Sequence, residues 1–237
     1  MAQLVMQAAE HNQVQLQDHD VIVLAQKMVS KAEHRYRSLS QIQPSQNAIA
    51  LAEETAKDPR LVQLILDESC EIVRKRRGVL ITRHRLGLVM ANAGIDASNL
   101  EGGVDRVLLL PENPDDSAAL VQQQLQDRYK CALSVIISDS FGRPWRQGVT
   151  NVAIGAAGLP SLLDRRQDTD RSGRVLKVTQ IAVADLVASA AGLVMGEADE
   201  GIPAAIVKGL PQHYRGDKVS HNPASNIIRP VEEDLFR

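Results

Sequence analysis

Apolar and polar positions along the 237-residue chain alternate in patterns that predict both strands and helices. Short apolar runs bounded by polar or glycine-containing breaks predict strands, and apolar residues recurring every three to four positions predict helices. The predicted strands are 21–25, 78–82, 86–90, 107–110, 132–138 and 202–207. The predicted helices are 2–10, 45–57, one starting at 59, 115–129, 183–194 and a short stretch near 232.

Helix-end signals support several of these elements. Asp58 suits an N-cap and Pro59 a first helical position, while Gly196 suits the end of the helix over 183–194. Strands that follow one another directly favour an α+β fold, with mixed sheets and flanking helices, over a regularly alternating parallel sheet. No repeat or linker divides the chain, so residues 1–237 are expected to form one functional domain whose internal boundary the sequence does not locate.

Composition narrows the function. A net charge of −2, a pI near 6.3 and only 3% aromatic residues argue against a nucleic-acid partner. We find no apolar run long enough to cross a bilayer and no signal-peptide pattern at the start, so a cytoplasmic protein without a membrane partner is expected. Cys70 and Cys131 lack ligand spacing and are interpreted as small buried apolar residues.

Acidic residues next to glycine or hydroxyl groups mark three candidate sites. Asp96 lies in the small-residue segment 91–99, Asp139 and Ser140 follow the predicted strand 132–138, and the third group is Glu197, Asp199 and Glu200. Together they suit Mg²⁺ or Mn²⁺ bound to phosphate oxygens. Taken singly, each aspartate is more often a turn or cap residue, and the third group more often a solvated loop.

Basic residues offer anion contacts. Lys27 and Lys31 follow a predicted strand and can hold phosphates or stay solvated, and no GxxxxGK[ST] or GxGxxG motif is present. Arg143 and Arg146 suit a phosphate or carboxylate. Trp145 between them either covers a flat heterocycle or belongs to a core. The six histidines show no metal-ligand spacing and receive no role.

Seven ordered segments resemble the F420-0:γ-glutamyl ligases. Residues 26–33 are similar to the QKxVSKAEG stretch of that family, and residues 91–99 and 138–146 to its ANAGIDxSN and SDxFGRPWR stretches. The other matching segments are 57–62, 152–159 (VAIGAAGL), 196–203 (GEADEGIP) and 229–235. Because the matches keep family order across nearly the whole chain, we identify the sequence as a member of this family.

The resemblance implies a specific fold and reaction. The expected fold is the family's own α+β arrangement of two intertwined subdomains, active as a homodimer. The expected enzyme uses GTP to join L-glutamate to the deazaflavin precursor F420-0 through an acyl phosphate, and a second γ-linked glutamate can follow. Two Mg²⁺ or Mn²⁺ ions, with K⁺ as a further candidate cation, are the implied cofactors.

The resemblance also implies residue roles. Asp96 and Asp139 would be catalytic and hold one metal, and Ser140, where the family usually has Thr, would hold a second with Glu197. The implied nucleotide contacts are Gln26, Lys27, Lys31, Asn99, Met195, Gly196, Glu197, Ala198, Asp199, Glu200, Gly201 and Ile202. Arg143, Trp145 and Arg146 are the candidate substrate contacts.

Some positions depart from the family pattern. Family members normally begin with a further strand and a Pro-containing loop, and His34 stands where glycine is usual. Val149 and Asn151 replace the commoner Gln and Asp. Two alternatives therefore stay open: a paralogous GTP-dependent amino-acid ligase with another acceptor, and a nucleotide-binding homologue that has lost catalysis.

Overall fold

The computed structural model describes residues 1–97, 105–215 and 222–235. Its α-helices are α1 (Ala2–His11), α2 (Gln26–Ala32), α3 (Gln46–Thr55), α4 (Pro59–Asp67), α5 (Pro114–Tyr129) and α6 (Val183–Met195). Its strands are β1 (Val21–Ala25), β2 (Tyr36–Ser38), β3 (Ser69–Arg76), β4 (Val79–His84), β5 (Val89–Ala91), β6 (Arg106–Leu108), β7 (Ser134–Arg143), β8 (Arg146–Ala157), β9 (Leu162–Asp164), β10 (Gln180–Ala182) and β11 (Ala204–Val207). These elements form mixed and antiparallel sheets, which confirms the predicted α+β class.

The chain forms two compact units, each built from two segments. The first unit comprises Met1–Val29 and Asn113–Arg229, and the second Ser30–Glu112 and Pro230–Arg237. The boundaries therefore fall within α2 and just before α5, at positions that the sequence did not reveal. That the two parts are intertwined stays a prediction.

A four-stranded sheet organises the first unit. Its strand order is β11-β1-β7-β8, with β1 parallel to β7 and the other neighbours antiparallel. Apolar residues of β1 and β7, such as Val23 and Ile136, join the buried side of α6 in one core cluster. Helix α5 packs closely on β8, because a Cβ on Gly155 would lie 2.3 Å from the carbonyl oxygen of Pro114. A side chain at position 155 would therefore push helix and strand apart.

Helices α3 and α4 pack with two small sheets in the second unit. One sheet has the order β3-β4-β5 and the other pairs β2 with β6. Leu51, Ile65 and Leu80 lie in their shared core. Helix α4 begins as predicted, because the Asp58 carboxylate accepts the Arg60 amide proton at 2.8 Å and Pro59 follows as the first helical residue.

Several predictions about local structure were wrong. The strand predicted over 132–138 continues to Arg143, and β3, β8 and α2 were not predicted. Cys70 is exposed rather than buried, because it lies on β3, whose side chains are mostly solvent-facing. Both cysteines are free thiols. Within the described residues we find no helix that combines the length and the apolar character needed to cross a membrane.

Candidate active site

Three chain segments meet at one end of the four-stranded sheet. β1 and β7 are parallel, with Ala25 opposite Ser138, so both strands reach this end in the same direction. β11 is antiparallel to β1 and begins here, and the Ala25 amide donates to the Pro203 carbonyl oxygen at 2.9 Å. This sheet end therefore carries the start of α2, the polar part of β7 and the loop between α6 and β11.

The start of α2 contributes Gln26 and Lys27. The helix begins at Gln26, directly after β1, so no linking residue separates the strand from these side chains. Gln26 is 3% exposed and Lys27 is half-buried. Both belong to the first unit, whereas Lys31, one helical turn later, belongs to the second.

Asp139 and Ser140 lie inside β7 and not after it. They stand opposite Val152 and Asn151 of β8, and a register shift between Ile137 and Ser138 precedes them. The Asp139 carboxylate accepts the Ser140 amide proton at 2.9 Å, and both side chains are half-buried. β7 thus carries one carboxylate and one hydroxyl at consecutive positions of this sheet end, where side chains alternate between the two faces.

The loop from Met195 to Ile202 forms the third segment. Met195 is buried at the end of α6, and Gly196 ends the helix as predicted. Glu197, Asp199 and Glu200 are exposed on this loop. The acidic group predicted from sequence therefore follows a helix and precedes a strand at the same sheet end as Asp139.

Asp96 lies in the second unit, where β6 holds its backbone. Its amide donates to the Leu108 carbonyl at 2.9 Å, and the Leu108 amide donates to the Asp96 carbonyl at 2.8 Å. Its side chain is half-buried. Asn99, also predicted for the nucleotide site, lies outside the described residues. The predicted sharing of one metal by Asp96 and Asp139 stays a prediction.

Arg143, Trp145 and Arg146 lie where β7 turns into β8. Trp145 occupies the turn with a φ of 61° and is 90% exposed, so its interpretation as a core residue was wrong. The Nη1 atom of Arg143 is buried and has no hydrogen-bond partner among the described residues. A role of these three side chains in substrate binding stays a prediction.

No three histidine, cysteine or acidic side chains converge on one point in the part of the chain that the structure describes. This finding does not conflict with the predicted Mg²⁺ or Mn²⁺ sites. Mg²⁺ is commonly held by one or two protein carboxylates, with water and substrate phosphates completing its coordination. The metal role that the sequence assigned to these residues stays a prediction.

Sequence reasoning missed a partly buried charge network in the second unit. Glu68 interacts with His84 at 3.2 Å, Arg35 at 3.3 Å and Arg85 at 3.1 Å. The His84 hydrogen bond and the two guanidinium groups lower the pKa of Glu68 to about 2, although burial acts in the opposite direction. The Leu86 amide donates to Nδ1 of His84, which places the ring proton on Nε2, facing Glu68.

This network contacts the segment that follows β6, the strand paired with Asp96. The Arg35 guanidinium donates to the Leu110 carbonyl at 2.8 Å, and the Leu109 amide donates to the Arg35 carbonyl at 3.1 Å. Leu108, just before them, is the residue paired with Asp96. His84 received no role from the sequence because its partners are a distant glutamate and a local amide rather than another metal ligand.

Sequence reasoning also missed how α6 is attached to β8. Asp185 in the first turn of α6 accepts the Ala153 amide proton at 2.9 Å, and burial raises the pKa of its carboxyl group. Asn151 packs against Gly192, where a Cβ would lie 1.6 Å from the Asn151 Oδ1 atom. The helix that leads into the 195–202 loop is thereby attached to the strand opposite Asp139 and Ser140.

Comparison with known proteins identifies the family. The model of the F420-0:gamma-glutamyl ligase family matches residues 1–209. The chain belongs to this family. The matched residues include every candidate site residue named above, and the resemblance inferred from the seven sequence segments is confirmed.

Curated relatives of the F420-0:γ-glutamyl ligase family align over nearly the whole chain. A protein of Methanopyrus kandleri is 47% identical over all of this chain and 91% of its own length. Proteins of Methanothermobacter thermautotrophicus and Methanocaldococcus jannaschii are 45% and 44% identical, covering 100% and 95% of this chain and 92% and 87% of their own. All three bear the name coenzyme F420:L-glutamate ligase.

Proposed function

We propose that this chain is a GTP-dependent ligase that joins L-glutamate to F420-0. The observation that carries the proposal is the meeting, at one sheet end, of Lys27, Asp139 with Ser140, and the 195–202 loop in a member of this family. A cation, hard oxygen donors for a metal ion and a glycine-flanked loop are groups that commonly bind nucleotide phosphates. The family description supplies the acceptor F420-0, and the names of the relatives supply L-glutamate.

The oxygen donors at this sheet end fit Mg²⁺ or Mn²⁺. Asp139 offers a carboxylate and Ser140, the next residue of β7, a hydroxyl, and Glu197 offers a further carboxylate on an exposed loop. Asp96 is the additional donor that the family resemblance implies. A bound divalent ion would supply neutralisation of charge on the phosphate oxygens during transfer. The two metal positions and any K⁺ position are part of the proposal.

The proposed reaction has two bond-exchange steps. A carboxylate oxygen of F420-0 attacks the γ-phosphorus of GTP, forming an acyl phosphate as the bond to GDP breaks. The uncharged amino group of glutamate then attacks the acyl carbon, an amide forms, and inorganic phosphate leaves while the nitrogen loses a proton. Lys27, as a compact point charge, holds phosphate oxygens, and the rigid β7 strand keeps Asp139 aligned for both steps.

A paralogous ligase with another acceptor is the second candidate. This candidate was suggested by the replacements at Val149 and Asn151. The Asn151 side chain packs against Gly192 of α6, which gives it a packing role within the first unit. Val149 is 54% exposed and is the replacement that favours a different acceptor. The loss-of-catalysis alternative predicts nucleotide binding without turnover.

Phosphate release tests the proposal and separates the alternatives. The protein is incubated with Mn²⁺, L-glutamate and either GTP or ATP, with and without F420-0. We expect release that requires F420-0 and is faster with GTP. Release that ignores F420-0 would support another acceptor, and no release with any combination would support the non-catalytic homologue. Faster release with ATP would remove the guanine preference from the proposal.

We propose a homodimer on the basis of α6. Leu186, Leu193 and Val194 are 55%, 90% and 63% exposed on the side of the helix that faces away from the core. A helix that is apolar on all sides is normally buried, so we propose that a second copy of the chain covers this side of α6.

Leu193→Asp is expected to convert dimer to monomer in sedimentation equilibrium. A wild-type chain that is already monomeric at micromolar concentration would contradict the proposal.

A further inference from the structure

The loop between α6 and β11 is held by one of its own side chains. Glu200 turns back towards the start of the loop, and its carboxylate accepts the Ala198 amide proton at 2.8 Å. This contact, followed by the amides of Glu200 and Glu197, keeps the pKa of the Glu200 carboxyl below its usual value. The carboxylate is therefore ionised at neutral pH. It interacts with backbone amides of its own loop while its side chain stays exposed to solvent.

The absence of a side chain at Gly196 leaves room for the Glu200 carboxylate. A Cβ at this position would lie 2.1 Å from the Glu200 carboxylate carbon and within 2.5 Å of both its oxygens. Gly196 also has φ 74° and ψ 179°, a conformation that is essentially restricted to glycine. Both the backbone shape and the free space at Gly196 are thus needed for the Glu200 carboxylate to reach its position.

The ends of the loop are fixed independently of Glu200. The Gly196 amide donates to the Gly192 carbonyl at 3.0 Å at the end of α6. At the other end of the loop, the Pro203 carbonyl oxygen accepts the Ala25 amide proton at 2.9 Å. Between these anchors, Glu197 and Asp199 are exposed and Gly201 has a positive φ of 68°. The hydrogen bond from the Ala198 amide to the Glu200 carboxylate joins two residues in the middle of the loop.

We propose that Glu200 is a positioning residue that holds the 196–201 loop in its nucleotide-binding shape through backbone contacts rather than by touching the nucleotide. This inference rests on the proposed function of the same site. It changes the role that family resemblance gave Glu200, because the carboxylate is already engaged by the loop's own amides. Pre-ordering the loop lowers the conformational cost of binding, so its loss should weaken nucleotide binding more than it slows chemistry.

Amide hydrogen exchange tests the backbone contact without any substrate. In Glu200→Ala we expect the Ala198 amide to exchange at least several-fold faster than in the wild type, with unchanged melting temperature. Asp199→Ala, which removes an exposed carboxylate from the same loop, is the matched control and should leave the Ala198 amide protected. Glu200→Gln keeps an acceptor oxygen and should show intermediate exchange. Equal exchange in wild type and Glu200→Ala would overturn the inference.

Steady-state kinetics test the positioning role. Glu200→Ala is expected to raise the KM for GTP by about three- to tenfold with a much smaller change in kcat, and Glu200→Gln to restore part of the loss. Faster amide exchange with an unchanged KM would overturn the role in nucleotide binding. A wild-type protein that releases no phosphate would instead refute the proposed function, and the exchange measurement would still decide whether Glu200 holds the loop.

Discussion

Asp139→Asn is expected to reduce glutamate-dependent GTP turnover by roughly 10²-fold or more at every Mn²⁺ concentration, because the carboxylate that we propose as a metal donor loses its negative charge. The fold should be unaffected. Asparagine has nearly the same shape and retains an oxygen that can accept the Ser140 amide proton, and the pairing of β7 with Val152 uses only backbone atoms. Phosphate release across a Mn²⁺ titration, with thermal melting in parallel, measures both parts.

The control for Asp139 is Asp127, an exposed aspartate on α5 of the same unit. Asp127→Asn makes the same chemical change away from the sheet end and should retain wild-type turnover. Recovery of Asp139→Asn at high Mn²⁺ would indicate a role in metal affinity alone. Full activity of Asp139→Asn at ordinary Mn²⁺ would contradict the assignment of this carboxylate to the site.

Glu68→Gln is expected to destabilise the protein by about 3 kcal/mol at neutral pH, taking 1.36 kcal/mol per unit of pKa difference. The pKa of Glu68 is about 2 in the folded protein against an ordinary value of 4.5, and its side chain is 15% exposed. Because the folded pKa is depressed, the stabilisation is complete above pH 4.5 and is lost as the pH falls towards 2. The free energy of unfolding at pH 7 and pH 3, from urea titrations, measures both features.

Glu71 provides the matched control for Glu68. It pairs with Arg83 at 3.1 Å in the same unit, but its side chain is 51% exposed. An exposed pair of this kind contributes about 0–1 kcal/mol, so Glu71→Gln should be nearly as stable as the wild type. The difference between the two variants should shrink as the pH falls from 4.5 towards 2. Equal stability of both variants at pH 7 would contradict the structural importance of the network around Glu68.

Helix and strand positions with strong local signals were predictable from the sequence. β1 was predicted with its observed bounds, Pro59 began α4, and Gly196 ended α6. In each of these elements local chemistry and tertiary packing agree, since caps satisfy helix-end N–H groups and the apolar run of β1 enters a core.

The missed strands lack the patterns on which sequence prediction depends. β3 exposes nearly all of its side chains, so no alternation of apolar and polar residues marks it. The distal half of the β7–β8 hairpin is also largely exposed, and its glycines and proline suggested a loop. Pairing between the two strands extends the hairpin to Arg143 and Arg146, and this pairing is a tertiary property.

The candidate site was predictable in its residue types but not in its assembly. Acidic residues near glycine marked Asp139 and Glu197, and the family resemblance supplied roles for them. Their meeting at one sheet end depends on the strand order β11-β1-β7, which local patterns do not encode. Glu200 was predicted as a site residue, but its contact with the Ala198 amide was missed, as was the Glu68–His84 pair, because each depends on a three-dimensional contact between groups that look ordinary in sequence.

Mass spectrometry of the reaction product tests the central claim most directly. The protein is incubated with F420-0, L-glutamate, GTP and Mn²⁺, and the product mass is compared with the amount of phosphate released. Our account predicts F420-0 that is heavier by one glutamyl unit, with one phosphate released for each amide formed. Unmodified F420-0 after complete reaction with an active control ligase in parallel would contradict the proposal that this chain is a glutamate ligase.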